Sequence, residues 1–182
     1  MLNAKQIVMN YLPTKRLDSC FITFPAAPTL PVRGSPMSKS DDLRSQVEET
    51  NERVFNRGDL DYIDEVYAED MVMHNVAHGE DYEGREAFKE WVKGLREAFP
   101  DFEVELLGTI VADQTVVTRY RARGTHEGAL PPFNGEPTNE TVEFEGVSIH
   151  TMDGTMATEA WWYYDQLTML TQLGIVPEMP PM

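Results

Sequence analysis

Between Leu43 and Phe99 the apolar positions of the chain recur at helical spacing. Leu43, Val47, Val54 and Phe55 form a first stripe, closed by Gly58. Leu60, Ile63, Val66 and Tyr67 form a second, shorter one. Phe88, Trp91, Val92, Leu95 and Phe99 form a third, running from about Arg85 and stopped by Pro100. Ser38 and Ser40 are candidate N-caps for the first helix, and Asp41 and Asp42 follow where the helix dipole favours negative charge. Between the second and third stripes "MVMHN" (71–75) reads as a brief extended piece. After Pro100 the period drops to two. Strands are predicted over 102–111, 115–125, 140–151 and 156–164, with Asp153–Gly154 as the hairpin turn between the last two. Leu167, Leu170 and Leu173 return to helical spacing before Gly174, and Pro177 follows. Three helices, an antiparallel sheet of four or more strands and a closing helix define an α+β domain over 38–176, with 177–182 as a tail. A sheet that curves around helices leaves a concave pocket.

Residues 1–37 break this pattern. "FPAAPTLPVRGSPM" is incompatible with a continuing helix or a central strand, and Pro25, Pro28 and Pro31 interrupt any signal-peptide apolar core. The segment is expected to be a disordered tail, or an over-extended gene start with Met37 as the true initiator.

Charge narrows the partners. The chain carries a formal −16, and four of its 15 basic residues (Lys5, Lys15, Arg16, Arg33) but one of its 31 acids (Asp18) lie within 1–37. Residues 38–182 therefore hold 11 basic and 30 acidic residues, a net of −19. Such a surface disfavours nucleic acid and anionic membranes and suits a cytoplasm, including a salt-adapted one. The single Cys20 excludes an intrachain disulfide and a thiolate metal cluster. His74 and His78 stand four apart, but metal binding at that spacing needs a helix, and the extended "MVMHN" with Gly79 argues against one; no metal is expected. "NET" at 139–141 matches a glycosylation sequon, which carries little weight without an export signal.

Five segments in order, "FNRGDLDYIDEVYAEDMVMHN" (55–75), "GREAFKEWVKGLREAFPDFEVE" (84–105), "GTHEG" (124–128), "FEGVSIHTMDG" (144–154) and "EAWWYYDQLTMLTQLG" (159–174), resemble the SnoaL-like polyketide cyclase (ester cyclase-like) family of the nuclear transport factor 2-like superfamily. The resemblance implies a cone-shaped curved antiparallel sheet of about four to six strands wrapped around three N-terminal helices, with a short C-terminal helix. It also implies cofactor-free closure of a polyketide ester, with a last-strand carboxylate as general acid/base in a pattern like E-H-W-D-x-x-D. The stretch 159–165 keeps Glu159, Trp161 and Asp165 but has Ala160 for the His and Trp162 for the catalytic Asp. An indole cannot relay a proton at neutral pH.

The alternation of 156–164 sorts its side chains into two faces. Carrying the family's pocket over to position 162 puts Ala160, Trp162 and Tyr164 inside, with Trp162 as pocket wall or core. Glu159, Trp161 and Tyr163 then face outward, where the family meets a partner subunit, and a homodimer is expected. His150 shares parity with Phe144, Gly146 and Ser148 on the pocket face; it is a candidate base or hydrogen-bond donor, or a satisfied core histidine. Asp165 is either the N-cap of the closing helix or a relocated acid/base whose pKa burial would raise. His150 and Asp165 are thus the catalytic candidates. His74, Trp91, Tyr120, His126, Phe144, Ser148 and Trp162 are the ligand-binding ones, His126 also serving as a loop support. Arg119, Arg121 and Arg123 alternate away from Tyr120 and are expected to pair with acids on the outer face. The expected ligand is a small apolar carbonyl compound or ester. The chain either transforms it or, given Trp162, only binds it.

Overall fold

The computed structural model describes residues 39–129 and 136–177. The expectations for 1–37, for Ser38 as a cap and for the tail beyond 177 fall outside them.

The first apolar stripe folds as α1 (Lys39–Thr50), which continues without a break into a π-helical turn, Asn51–Asn56, ended by Gly58 at φ 73°. The widened turn is pinned to the sheet: Asn51 Nδ2 donates to the Val104 carbonyl at 2.8 Å, and Asn56 Oδ1 accepts from the Val104 amide at 2.8 Å. A 3-10 turn (Leu60–Tyr62) and the single-turn α2 (Ile63–Val66) follow. Strand β1 (Tyr67–Asn75) and the short β2 (Glu80–Glu83) lead to α3 (Arg85–Ala98). Four long strands come next: β3 (Glu103–Ala112), β4 (Thr115–Thr125), β5 (Thr141–Asp153) and β6 (Met156–Tyr164). The closing helix α4 is Gln166–Gln172.

One curved, open sheet contains all six strands in the order β2-β1-β6-β5-β4-β3. It is mixed where the sequence predicts an antiparallel one, because β1 runs parallel to β6. Periodicity reports that a segment is extended and which face it buries, but not which strand it joins. Tyr67 belongs to β1 and not to the second helix, so the extended piece expected over 71–75 is nine residues long. Strand β2 ("EDYE") carries no alternation to read: it is a polar edge strand, a composition that blocks further pairing.

The core lies between the helices and the concave face. Val54, Ile63, Met71, Met73, Phe88, Val92 and Ala160 have no exposed surface. On α3 the stripe divides: Phe88 and Val92 are buried, while Trp91 and Leu95 stay half-buried and front a cavity. β4 and β5 pair without interruption from Thr115–Thr151 to Thr125–Thr141, which fixes the faces of the central sheet. Outward, Arg121 bonds Glu145 at 3.0 Å and Glu105 at 3.3 Å, and Arg123 pairs with Glu103. These ion pairs are exposed and contribute little stability each.

Candidate functional site

Trp162 stands at the centre of the concave face. Its indole is 8% exposed and meets Phe55 at 5.1 Å, Trp91 at 5.6 Å, Tyr120 at 5.9 Å and His150 at 6.2 Å between ring centroids. Two cavities lie against this ring, and Trp162, Tyr120 and Val104 line both. The larger encloses about 460 Å³, within the range of small-molecule pockets. Its walls include Tyr82, Trp91, Phe99, Phe102, Phe144 and Tyr164, with His78, Glu80 and Glu90 as its titratable, non-phenolic members. The smaller encloses about 60 Å³. It is bounded by α1 and the π turn through Gln46, Val47, Thr50, Asn51 and Phe55, and by the sheet through Thr118, Ser148, His150 and Trp162. Among the described residues, no Lys or Arg lines either chamber.

Gly146 shapes the wall between them. It pairs with Tyr120 across β4 and β5, and a Cβ there would come within 2.5 Å of the Tyr120 phenol. The missing side chain lets the ring lie over the glycine beside Trp162.

Burial sets the protonation states. His150 has neither ring nitrogen bonded to a described protein group, and desolvation pushes its pKa down to about 4. It is therefore neutral at pH 7, with one N–H donor and one lone pair. Burial likewise raises the phenols of Tyr67 and Tyr120, and takes Tyr164 up to about 12. The Trp162 Nε1–H is also buried without a partner among the described residues. Trp162 and His150 are the two residues in that condition that line the smaller chamber. Unsatisfied buried polar groups cost about 1–3 kcal/mol each, so such a pair in one wall is a feature of a binding site more than of a core.

The candidates from the sequence separate in space. His150 and Ser148 line the smaller chamber, Trp91 and Phe144 the larger, and Tyr120 and Trp162 both. The others sit elsewhere. His74 is on the convex side of β1, where Nδ1 faces Asp81 at 2.8 Å, Nε2 faces Glu159 at 3.0 Å, and the ring stacks on Trp161 at 5.2 Å. The parallel pairing sets His74 opposite Trp161, on the outer face and away from the pocket. Glu159, then Asp81, raises the His74 pKa. His126 is buried beside Phe99, and its Nδ1 accepts the Thr138 amide at 3.2 Å, stitching the two ends of the loop between β4 and β5. Asp165 caps α4, accepting from the Thr168 amide at 2.9 Å and the Thr168 hydroxyl at 2.6 Å. Those bonds, the hydroxyl first, hold its carboxyl below its ordinary range, the reverse of the rise expected for a buried acid. It lines neither chamber.

Sequence reasoning missed the helical side of the smaller chamber. Gln46, Thr50 and Asn51 are polar residues on the stripe of Val47, and that break in an inward face was the available signal. Tyr82 and Glu80 carried none, since they stand on the unpredicted β2. Among the described residues, no group of three or more His, Cys, Asp or Glu is placed to hold a metal ion, and no helix is long and apolar enough to cross a membrane.

An open sheet curved over helices, enclosing an aromatic chamber at its concave face, is the architecture of small-molecule pocket proteins with the nuclear transport factor 2-like fold. The profile of the SnoaL-like polyketide cyclase family matches residues 45–173, and the chain belongs to that family. Solved structures agree in fold. AclR of Streptomyces galilaeus, a proposed hydroxylase, is 22% identical with a TM-score of 0.66, covering 76% of this chain and 85% of its own. IdmH of Streptomyces antibioticus, a proposed polyketide cyclase, is 27% identical with a TM-score of 0.62, over 72% of this chain and 98% of its own. A proposed polyketide cyclase from Acidithiobacillus ferrooxidans is 28% identical with a TM-score of 0.62, over 78% and 98%. No curated protein matches.

Proposed function

We propose that the chain binds an apolar carbonyl compound or ester in the chambers around Trp162 and acts on it by cofactor-independent acid/base chemistry of the cyclase or isomerase type. The observation that carries this reading is His150. Of the sequence candidates His74, His150 and Asp165, it alone lines a cavity, and its ring nitrogens have no other described partner. Neutral at pH 7, it can accept a proton from a carbon next to a carbonyl. The aromatic walls of the larger chamber suit a ring system of polyketide or terpenoid size. The printed names of two similar solved structures, proposed polyketide cyclases, support the same substrate class.

The test is a thermal-shift and native mass spectrometry screen of aromatic polyketides, terpenoid ketones and their esters, followed by turnover assays on hits. His150→Gln is expected to bind a hit and not turn it over. Equal turnover by the variant removes His150 from the chemistry.

A second reading is a non-enzymatic binding module, favoured by Trp162 at the position of the family's aspartate; hits that bind without turnover would establish it. Either way we propose a homodimer through the convex face. There Trp161 and the 44% exposed Tyr163 project together on β6, and the row of paired positions from Trp161 runs through Ile149 and Val117 to Ile110 on β3, which is 67% exposed. Light scattering at physiological and high salt is expected to give twice the chain mass, and a monomer at both refutes the dimer.

A further inference from the structure

Trp162 is a donor with no acceptor. Its Nε1–H is buried without a described partner, in a side chain more than nine-tenths buried, on the wall shared by both chambers. An indole offers a hydrogen and no lone pair, so its missing partner is an acceptor. The acceptor is uncharged: among the described residues no Lys or Arg lines either chamber, and Glu80 and Glu90 at the larger one repel an anion. The smaller chamber, at about 60 Å³, is well below the roughly 150 Å³ that accommodates a benzene ring, so it takes a carbonyl and the carbon next to it while the rest of a ring stays outside. His150, behind Trp162 in that chamber, has its own unpartnered nitrogens.

We propose that Trp162 is the oxygen-holding catalytic residue of this site: its Nε1–H donates to the carbonyl oxygen of a neutral ring ketone or ester whose enolisable Cα–H faces His150. The inference rests on the acid/base reading of the pocket and assigns the substituted family position a role that an ionised aspartate could not fill. His150 takes the proton from Cα. The C–H bonding pair becomes the C=C bond of the enolate, and the carbonyl π pair moves onto oxygen, where the indole N–H holds it. The imidazolium and enolate arise together, so the chamber's net charge does not change. Return of the proton to carbon restores the ketone, and no other reactant is consumed.

The experiment uses the full chain with 2-tetralone, and the hydrocarbon tetralin as its oxygen-free counterpart. In D₂O, the wild type is expected to accelerate deuterium exchange at the ketone's α carbons above the buffer rate. Trp162→Phe keeps an aromatic wall and is expected to lose roughly 100-fold of that acceleration, the usual effect of deleting one oxyanion donor. His150→Gln should return exchange to the buffer rate. Trp162→Phe exchanging at the wild-type rate while His150→Gln is inactive overturns the role of Trp162 and leaves the acid/base reading standing. A wild type that neither accelerates exchange nor binds 2-tetralone more tightly than tetralin overturns both. A further readout needs no variant in the binding step. The Trp162 indole N–H resonance of the ¹⁵N-labelled wild type, identified by its absence in Trp162→Phe, should move downfield with 2-tetralone and not with tetralin. The same shift for both compounds also overturns the proposal.

Discussion

Trp161 and Trp162 are neighbours on one strand and live in opposite environments. Trp162 is packed among Phe55, Trp91, Tyr120 and His150, with its N–H buried and unpartnered. Trp161 lies on the convex face, half-buried, stacked on a histidine that bridges two carboxylates. The same contrast separates Tyr164, a wall of the larger chamber, from Tyr163, which is 44% exposed. A run of aromatics is therefore not one cluster. On the concave side the Trp162 N–H lacks a described partner, while the Tyr164 phenol has Asn75. The convex members have theirs or face solvent.

The sharpest way to break this comparison is truncation at both tryptophans. Trp162→Ala is expected to cost about 3–5 kcal/mol in denaturant unfolding, the range for deleting a buried aromatic. Trp161→Ala should cost about 1 kcal/mol or less within the protomer. Equal losses would mean that the two faces are equally packed.

The histidines of the two faces should respond to pH with opposite signs. His150 has its pKa lowered to about 4 in the folded state against an ordinary 6.5. Between those values the unfolded chain binds the extra proton, so stability falls as pH drops from about 6.5 towards 4, by roughly 3 kcal/mol in all. His74 has its pKa raised by Glu159 and Asp81. Its stabilisation is fully present below the unfolded pKa and is lost as pH rises through the folded one. Stability against pH for His150→Gln and His74→Gln should show the two slopes removed separately. A wild-type acid slope that survives in His150→Gln would place that proton elsewhere.

Two smaller effects sharpen the picture. Gly146→Ala forces a methyl against the Tyr120 phenol and is expected to cost about 1–3 kcal/mol while disturbing ligand binding in both chambers. An unchanged melting temperature would show that both the Tyr120 ring and the Tyr163 carbonyl, 2.6 Å from that methyl, give way without cost. Asp165→Ala removes a cap and should cost about 1 kcal/mol with no effect on turnover. Loss of turnover without loss of stability would return Asp165 to the chemistry.

Much of this was legible beforehand because it is local. Gly58, Pro100 and Asp153–Gly154 marked boundaries through backbone geometry; strand alternation sorted 140–151 and 156–164 into two faces each, and the family resemblance said which of them meets the pocket. His74 was misplaced, and of the two readings of Asp165 the structure bears out the helix cap. His74 depends on the parallel pairing of β1 with β6, a contact across 85 residues of chain from Glu159. Asp165 follows the last residue of β6 and serves α4 instead of the pocket, a choice decided by the Thr168 hydroxyl and amide.

The sequence by itself determined the family, the order of the helices and of every strand but β2, and the replacement of an acid by Trp162, because periodicity, turn chemistry and residue identity are written along the chain. Only the tertiary structure decided that β1 lies parallel to β6, that Trp162 divides two chambers, and that His150 sits unpartnered behind it. Those facts depend on which distant surfaces are brought together and what each then excludes from water. Desolvation, and with it the protonation of His150, exists only once the chain has closed around it.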